Sequence, residues 1–239
     1  MTVKVLQQKS EIKDARHELR RRGVSYLTAN RLISLIYNRL GLKRIIPVGH
    51  ISKSWDVLAT ADFVQAHLPV TAPILDIGAF ASEIICVLHR LKYTNLTGID
   101  LNPNVVRMPY AGKIRYKAAD FMHTHFADGA FAAITAISVI EHGIQRSALL
   151  KEITRLLRPG GYFIASFDYW PDKINTSGSN MFGMDWCIFS REEVLALLDE
   201  AKGYGLSPCG PVKLEVTEPM IEFAGKSYTF AWLVLQKHA

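Results

Sequence analysis

From residue 73 onward, short apolar runs alternate with amphipathic stretches, and this alternation constrains the fold more than any other feature of the chain. The amphipathic stretches at 82–92 and 146–157 have helical spacing, and a capping box from Ser190 to Glu193 begins another helix. The pattern predicts an α/β fold with a doubly wound, mostly parallel sheet. Its seven predicted strands lie near residues 74–77, 96–99, 114–118, 131–138, 162–167, 212–217 and 228–236.

The first 68 residues have a different pattern. Residues 9–23 favour a helix that Gly23 can end, and residues 54–68 favour another that Ser54 can cap. Between them, residues 24–40 carry a helical apolar stripe of Leu32, Leu35, Ile36 and Leu40. We therefore predict an N-terminal helical cap over residues 1–68 and a second unit, the sheet domain, over residues 69–239.

Charge is concentrated at the N-terminus. The net charge is +6, but residues 1–53 hold 12 basic and 3 acidic side chains, which leaves a net of −3 for the rest. Arg20–Arg22 with Lys43 and Arg44 could hold an anionic acceptor, such as a phosphorylated sugar, a nucleotide-linked glycan or a nucleic acid. The same segment could instead lie on an anionic membrane, or only form a solvated cap. The sequence leaves these three interpretations open.

Several features bear on the compartment. No apolar run approaches the ~18 residues of a membrane span, and polar residues interrupt the start before a secretory signal could form. The three cysteines, Cys86, Cys187 and Cys209, are widely spaced and include no CxxC pair. This usage fits a reducing compartment, so we expect a cytoplasmic protein with no transmembrane segment.

Acidic residues lie at the ends of three successive predicted strands. Asp76 precedes Gly78, Asp100 ends the second strand, and Asp120 follows the third. Each alone could cap a turn, but three in order indicate a site for a nucleoside at the carboxyl edge of the sheet. A dinucleotide is disfavoured because the G-x-G-x-x-G pattern is missing. A carboxylate at Asp76 suits a ligand with a cationic amino or sulfonium group.

These motifs, in this order, resemble those of the class I S-adenosylmethionine-dependent methyltransferases, most closely the small-molecule branch often labelled type 11. The resemblance covers about residues 70–170 and is carried by Leu-Asp-Ile-Gly, Gly-Ile-Asp-Leu-Asn, Ala-Asp-Phe, the segment 126–142 and Leu-Leu-Arg-Pro-Gly-Gly-Tyr-Phe. It implies S-adenosyl-L-methionine as the cofactor and an antiparallel last strand in the sheet.

The resemblance also implies roles for individual residues. Asp76 and Gly78 would lie near the methionine part, Asp100 with the neighbouring Leu101 at the ribose, Asp120 and Phe121 at the adenine, and Ser138 beside the site. Phe80 and Ser82 stand where the family usually has glycines. We expect cofactor binding to be retained, with Phe80 turned aside or covering the cofactor.

The acceptor side offers one candidate base and three aromatic residues. His142 follows the fourth predicted strand of the sheet domain and could remove a proton from a hydroxyl, or only cap the strand end. Tyr169, Trp170 and Trp186 flank or lie in a long connection at 171–189; they could line an acceptor pocket, or the tryptophans could pin the loop to the body. The metal-binding variant Glu-x-x-Glu-His is broken by Ser138, so we expect no metal.

Taken together, the sequence predicts an enzyme that transfers a methyl group from S-adenosylmethionine to an oxygen of a small or glycan-like acceptor. One alternative is a nucleic-acid methyltransferase that grips phosphates with the basic segment. Another is a nucleoside-binding protein without catalytic activity, in which the altered loop at Phe80 no longer supports transfer.

Overall fold

The computed structural model of the protein describes residues 3–27, 39, 46–181 and 183–238. The α-helices within these ranges are α1 (Lys9–Arg21), α2 (Ser54–His67), α3 (Ile84–Arg90), α4 (Arg146–Leu156) and α5 (Arg191–Gly203). Short 3-10 turns occur at Ile51–Lys53 and Pro103–Arg107. The strands are β1 (Val3–Val5), β2 (Ile74–Ile77), β3 (Leu96–Asp100), β4 (Arg115–Ala118), β5 (Phe131–Ile137), β6 (Leu157–Tyr169), β7 (Asn180–Met181), β8 (Met184–Asp185), β9 (Leu206–Pro208), β10 (Ile221–Phe223) and β11 (Lys226–Lys237).

One mixed sheet organises the molecule. Its order is β1-β11-β6-β5-β2-β3-β4, and β9 and β10 also pair with β11. The five adjacent strands β6, β5, β2, β3 and β4 run parallel to one another. Strand β11 is antiparallel to β6, with Ala231 opposite Phe167. The predicted doubly wound, mostly parallel sheet with an antiparallel last strand is therefore confirmed.

The strand count differs from the prediction. Nine strands form the sheet within the described residues: six of the seven predicted strands, and the short β1, β9 and β10, which were not predicted. The strand predicted near 212–217 is wrong: apart from a bridge at Val212, the segment has no ladder. Isolated hydrogen bonds hold this segment instead: Lys213 donates its backbone N–H to the Val3 carbonyl, and the Leu214 carbonyl accepts from the Tyr169 hydroxyl.

Helices cover both faces of the sheet, which explains the apolar character of the strands. On one face, side chains of α1, α2 and α3 pack on the sheet, among them Leu19, Val64 and Leu88. On the other face, α4 and α5 do so through residues that include Ile153 and Leu197.

The N-terminal segment is joined to the sheet as well as packed on it, because β1 pairs with β11 through Val3 and Leu233. Helix α1 ends before Gly23, whose φ of +70° closes the turn as predicted. Ser54 is the first residue of α2 and not its cap: its hydroxyl accepts from Arg16 and donates to Ile51.

Residues 24–27 have no regular structure. The predicted apolar stripe of Leu32, Leu35, Ile36 and Leu40 lies outside the described residues, as do Lys43 and Arg44.

Candidate functional site

A cavity of about 610 Å³ opens at the carboxyl ends of β2, β3 and β5, where the strand order reverses. Open α/β sheets bind ligands at this position. The residues that line it are Gly78, Phe80, Ala81, Ser82, Asp100, Leu101, Asn102, Phe121, Ile137, Ser138, Val139, His142 and Met184. Six of the eight predicted cofactor-binding residues and the predicted base His142 are among them.

Gly78 makes the turn from β2 into the loop that lines the cavity. Its φ is +69°, and a Cβ built there would lie 2.4 Å from Cγ2 of Val139. Both the backbone conformation and the space therefore require glycine. Two further lining residues, Ala81 and Ser138, also have positive φ although they carry side chains, with values of +63° and +55°. Such conformations are unfavourable and are concentrated at functional sites.

Asp100 ends β3 at the mouth of the cavity. Its Oδ2 accepts the backbone N–H of Phe80 at 2.9 Å, and its Oδ1 accepts that of Asn102 at 2.7 Å. Each carboxylate oxygen has a second lone pair, so the group can accept further hydrogen bonds from ligand hydroxyls. The bond to Phe80 also ties the loop after β2 to the end of β3.

Phe80 and Ser82, the two departures from the family's glycines, both face the cavity. Phe80 is partly buried and packs against the core next to the loop. Phe121, which follows β4, is 8% exposed and forms another apolar part of the wall.

Asp76 and Asp120 do not line the cavity, and their predicted roles at the cofactor stay predictions. The Asp120 Oδ1 accepts the N–H of Met122 at 2.8 Å and so closes the turn after β4. Asp76 is buried within β2, where its Oδ1 accepts from the Thr135 hydroxyl at 2.6 Å. Its Oδ2 has no partner of hydrogen-bonding geometry among the described residues. Burial raises the pKa of Asp76 to about 7, so this carboxyl exchanges a proton near neutrality.

The segment after β5 forms the opposite wall. Ser138 donates its backbone N–H to Ser166, and its buried hydroxyl oxygen makes no hydrogen bond to another described residue. His142 is partly exposed to the cavity, and burial lowers its pKa while the charge of Asp168 opposes the shift. The imidazole is therefore neutral near pH 7, the form that can accept a proton.

A hairpin of β7 and β8 covers this wall and adds Met184 to the cavity. Backbone bonds join the segments: Gly143 donates to Asp185 at 2.9 Å, and Cys187 donates to Glu141 at 2.8 Å. An antiparallel bridge between His142 and Trp186 lies between these two bonds. The hairpin thus fixes the backbone that carries His142.

The predicted aromatic acceptor residues Tyr169, Trp170 and Trp186 do not line the cavity, and their role toward an acceptor stays a prediction. Tyr169 is fully buried and donates its hydroxyl to Leu214, whereas Trp170 is partly buried against the core. Trp186 is 3% exposed and donates its indole N–H to Asp168 Oδ2 at 2.8 Å. Trp186 ties the 171–189 connection to the body through this bond, while Tyr169 and Trp170 pack into the core beside it.

A buried group of charges lies behind His142. It contains the carboxylates of Asp56, Glu141 and Asp168, and Lys53 Nζ lies 3.6 Å from Asp168 Oδ1. Burial raises the pKa of Asp56 to about 6, and burial together with the charge of Asp168 raises that of Glu141 well above its usual value. Among the described residues, no three His, Cys, Asp or Glu side chains are grouped so as to hold a metal ion. A metal-independent site stays a prediction.

The lining residues that the sequence did not identify are Ala81, Asn102, Ile137, Val139 and Met184. Four of them are near neighbours of identified residues on the same strand ends, so the strand-end rule could have included them. Met184 has no such signal, because the two-residue strands that position it leave no periodic pattern.

Some of the basic residues in and just after α1 have acidic partners. Arg21 and Arg22 contact Glu18 at 2.6 Å, and Arg22 also contacts Asp62 at 2.5 Å. Arg16 is buried against Glu83. In the part of the chain that the structure describes, no helix has the length and apolar character needed to cross a membrane.

Comparison with known proteins agrees with this geometry. Residues 75–165 match the family described as a methyltransferase domain. The chain is 29% identical over 130 residues to a ubiquinone/menaquinone biosynthesis C-methyltransferase of Geotalea daltonii, across 50% of this chain and 54%, about half, of that protein. It is 26% identical over 195 residues to human EEF1A lysine methyltransferase 2, across 73% and 70% of the two chains.

Among solved structures, the fold is similar to that of geranyl diphosphate C-methyltransferase from Streptomyces coelicolor, determined with S-adenosyl-L-homocysteine. The TM-score is 0.56 at 18% identity, over 75% of this chain and 80% of that one. The fold and the position of the cavity define a doubly wound α/β domain with a ligand site at its switch point. Over residues 75–165 the chain carries a methyltransferase domain, its fold is that of the class I S-adenosylmethionine-dependent methyltransferases, and S-adenosylmethionine is the cofactor of that class.

Proposed function

We propose that this chain is a methyltransferase that uses the cavity after β2, β3 and β5 to transfer a methyl group to an oxygen of a small acceptor. The observation that carries the proposal is the shared cavity: residues from separate strand ends, each predicted for one part of the cofactor, line the same space. In this proposal residues 69–239 bind the cofactor and residues 1–68 form an extension of that domain.

The residues fit a nucleoside with an amino-acid tail. The free lone pairs of Asp100 suit ribose hydroxyls, and Phe121 offers an apolar surface for the base. The hydroxyl of Ser138, after β5, and the space kept open by Gly78, after β2, belong to the same cavity and suit the amino-acid tail. When bound, S-adenosylmethionine supplies an electrophilic methyl group on a sulfonium.

The chain's own contribution is alignment, exclusion of water and removal of a proton. His142 would accept the hydroxyl proton of the acceptor as its oxygen takes up the methyl group that the bound cofactor would supply. Its lowered pKa keeps the ring neutral at pH 7 and ready for this role. Around it, Ile137, Val139 and Met184 are apolar, and none of the lining residues in the described ranges is Lys or Arg. These features favour a small, uncharged acceptor with an apolar face, such as a phenol, over a phosphorylated glycan.

A nucleic-acid acceptor has weaker support. Two of the three arginines at the end of α1, Arg21 and Arg22, pair with Glu18 and Asp62, so fewer of them are available to phosphates than the sequence suggested. If RNA were the substrate, its binding should weaken steeply with salt, and deletion of residues 1–53 should abolish this salt dependence. Turnover of a phenol at a rate independent of salt would contradict the nucleic-acid alternative.

Calorimetry with S-adenosylmethionine and S-adenosylhomocysteine tests the cofactor assignment. Asp100→Ala should weaken both affinities by about tenfold or more, because hydrogen bonds to a charged acceptor are lost. The matched control is Asp199→Ala on α5, whose carboxylate is 82% exposed and remote from the cavity. If the parent protein bound neither compound, the proposal would be wrong.

Turnover tests the base. With methyl-labelled cofactor and a panel of phenols, glycans and RNA, His142→Gln should lower the rate by about a hundredfold while the cofactor affinity stays unchanged. Equal rates in parent and variant would remove His142 from the mechanism.

A further inference from the structure

A fully buried ion pair joins the N-terminal extension to the cofactor loop. Arg16 of α1 and Glu83, which follows the loop residues 78–82, are only 2% and 3% exposed. Two parallel hydrogen bonds of 2.7 Å link the guanidinium to the two carboxylate oxygens. The pair bridges elements 67 positions apart in the sequence.

The remaining hydrogen-bonding capacity of the pair is also used. Arg16 donates to the hydroxyls of Ser54 and Ser25, each at 2.9 Å, and Glu83 accepts the backbone N–H of Tyr26 at 2.9 Å. Three separate stretches of the extension therefore meet at Glu83. A planar guanidinium suits such a fixed bidentate geometry better than an ammonium would.

Buried ion pairs contribute little net stability, because desolvation offsets most of the attraction. Their value lies in fixing geometry, and here the fixed element is the loop that lines the cavity. Gly78, Phe80, Ala81 and Ser82 all belong to that wall, and Glu83 follows them directly.

This loop depends on external support. Ala81 holds a φ of +63° without being glycine, and its carbonyl accepts the backbone N–H of Gly49 at 2.8 Å, a second contact from the extension. The backbone N–H of Ala81 points to the Met108 sulfur at 3.2 Å. Loops of this kind keep an unfavourable conformation only when their surroundings impose it.

We propose that Arg16 is a positioning residue for the cofactor: through Glu83 it holds the 78–82 loop in the conformation that accepts S-adenosylmethionine. The extension is then a working part of the binding site. This inference rests on the proposed function, because it concerns the same cavity.

Two variants separate positioning from simple stabilisation. Arg16→Lys keeps the charge but cannot bridge both carboxylate oxygens. Arg16→Met combined with Glu83→Gln removes both charges and keeps an acceptor for Tyr26, a change that buried pairs often tolerate without loss of stability. Arg22→Met is the matched control, because Arg22 lies just beyond the end of α1 and pairs with Asp62 of α2, away from the loop.

The experiment measures S-adenosylhomocysteine affinity by calorimetry and the free energy of unfolding by urea, at a temperature where each variant is folded. We expect the double variant to stay folded and to bind about tenfold more weakly, with Arg16→Lys similarly affected. Arg22→Met should bind within about twofold of the parent. Parent-like affinity in the double variant would overturn the inference, whatever its stability. A parent that binds no cofactor would instead overturn the proposed function, and the inference with it.

Discussion

At the scale of single residues, Gly78 is the position where conformation and packing act together. A β-carbon there would meet Val139 at 2.4 Å in a backbone of φ +69°. Gly178 provides a comparison, because its φ is +76° and nothing lies within 4 Å of a β-carbon built on it.

Gly78→Ala should therefore lower the free energy of unfolding by about 2–4 kcal/mol, from strain and overpacking together, and weaken S-adenosylhomocysteine binding. Gly178→Ala, which adds strain alone, should lose about 1–2 kcal/mol and keep the affinity. Urea unfolding and calorimetry measure both quantities. Adding Val139→Ala to Gly78→Ala should restore part of the stability; no recovery would show that the clash is not the cause.

Asp76 makes a second prediction at this scale. Its carboxyl titrates near pH 7 in the free protein, and a cationic ligand group nearby favours the ionised form. Because the ionised fraction rises from pH 6 to pH 8, S-adenosylmethionine affinity should rise by up to about tenfold over that range. Asp76→Asn should flatten the dependence, apart from the ligand's own titration, which both proteins share. If the affinity of Asp76→Asn depended on pH as that of the parent does, Asp76 would not interact with the cationic part of the cofactor.

At the scale of elements, the β7–β8 hairpin covers the cavity wall that contains His142 and adds Met184 to it. Trp186 fixes the end of this hairpin by its indole bond to Asp168 and by edge contacts with Tyr228 and Phe223. The same hairpin pairs with the backbone on either side of His142. The hairpin therefore fixes the wall of the cavity that contains His142.

Trp186→Phe should keep the ring contacts and remove the indole donor to Asp168, which lowers the free energy of unfolding by about 1–3 kcal/mol. Hydrogen exchange at the Gly143 and Cys187 amides should speed up, while the cofactor affinity stays unchanged. Trp170→Phe is the control, because the Trp170 indole makes no hydrogen bond to another described residue. Unchanged exchange in Trp186→Phe would contradict the anchoring role.

The strands with strong apolar runs could be predicted because each is buried on both faces, and their ends then located most of the cavity. Elements without such a signal could not. The three residues of β1 and the two-residue strands of the hairpin are held by long-range pairing. Conversely, the alternation of Leu214 and Val216 with charged residues is typical of a strand, yet tertiary contacts hold that segment as a loop.

At the scale of the whole molecule, the excess of positive charge is less available than the composition suggests. Arg16 is buried with Glu83, and two of the three arginines at the end of α1 have carboxylate partners. The interior, by contrast, holds carboxylates that resist ionisation, at Asp56, Asp76 and Glu141. The protein's response to pH should therefore come mainly from its core.

The sign of that response follows from linkage. A carboxyl whose pKa is raised in the folded state binds a proton there that the unfolded chain has already lost, so its contribution to stability disappears as pH rises through the raised pKa. Burial raises the pKa of Asp76 to about 7 and that of Asp56 to about 6, and burial with the charge of Asp168 raises that of Glu141 well above its usual value. Burial lowers the pKa of His142, so the opposing effect of this residue is confined to lower pH.

Between about pH 6.5 and 8.5 the free energy of unfolding should fall by about 1 kcal/mol as Asp76 and Asp56 finish ionising. Urea unfolding across this range measures it. Asp76→Asn, neutral at every pH, should reduce the slope, and Glu192→Gln on the exposed face of α5 should leave it unchanged. A stability that does not fall with pH over this range would mean that the buried carboxyls are already ionised at its lower end, with Lys53 beside Asp168 compensating their charge.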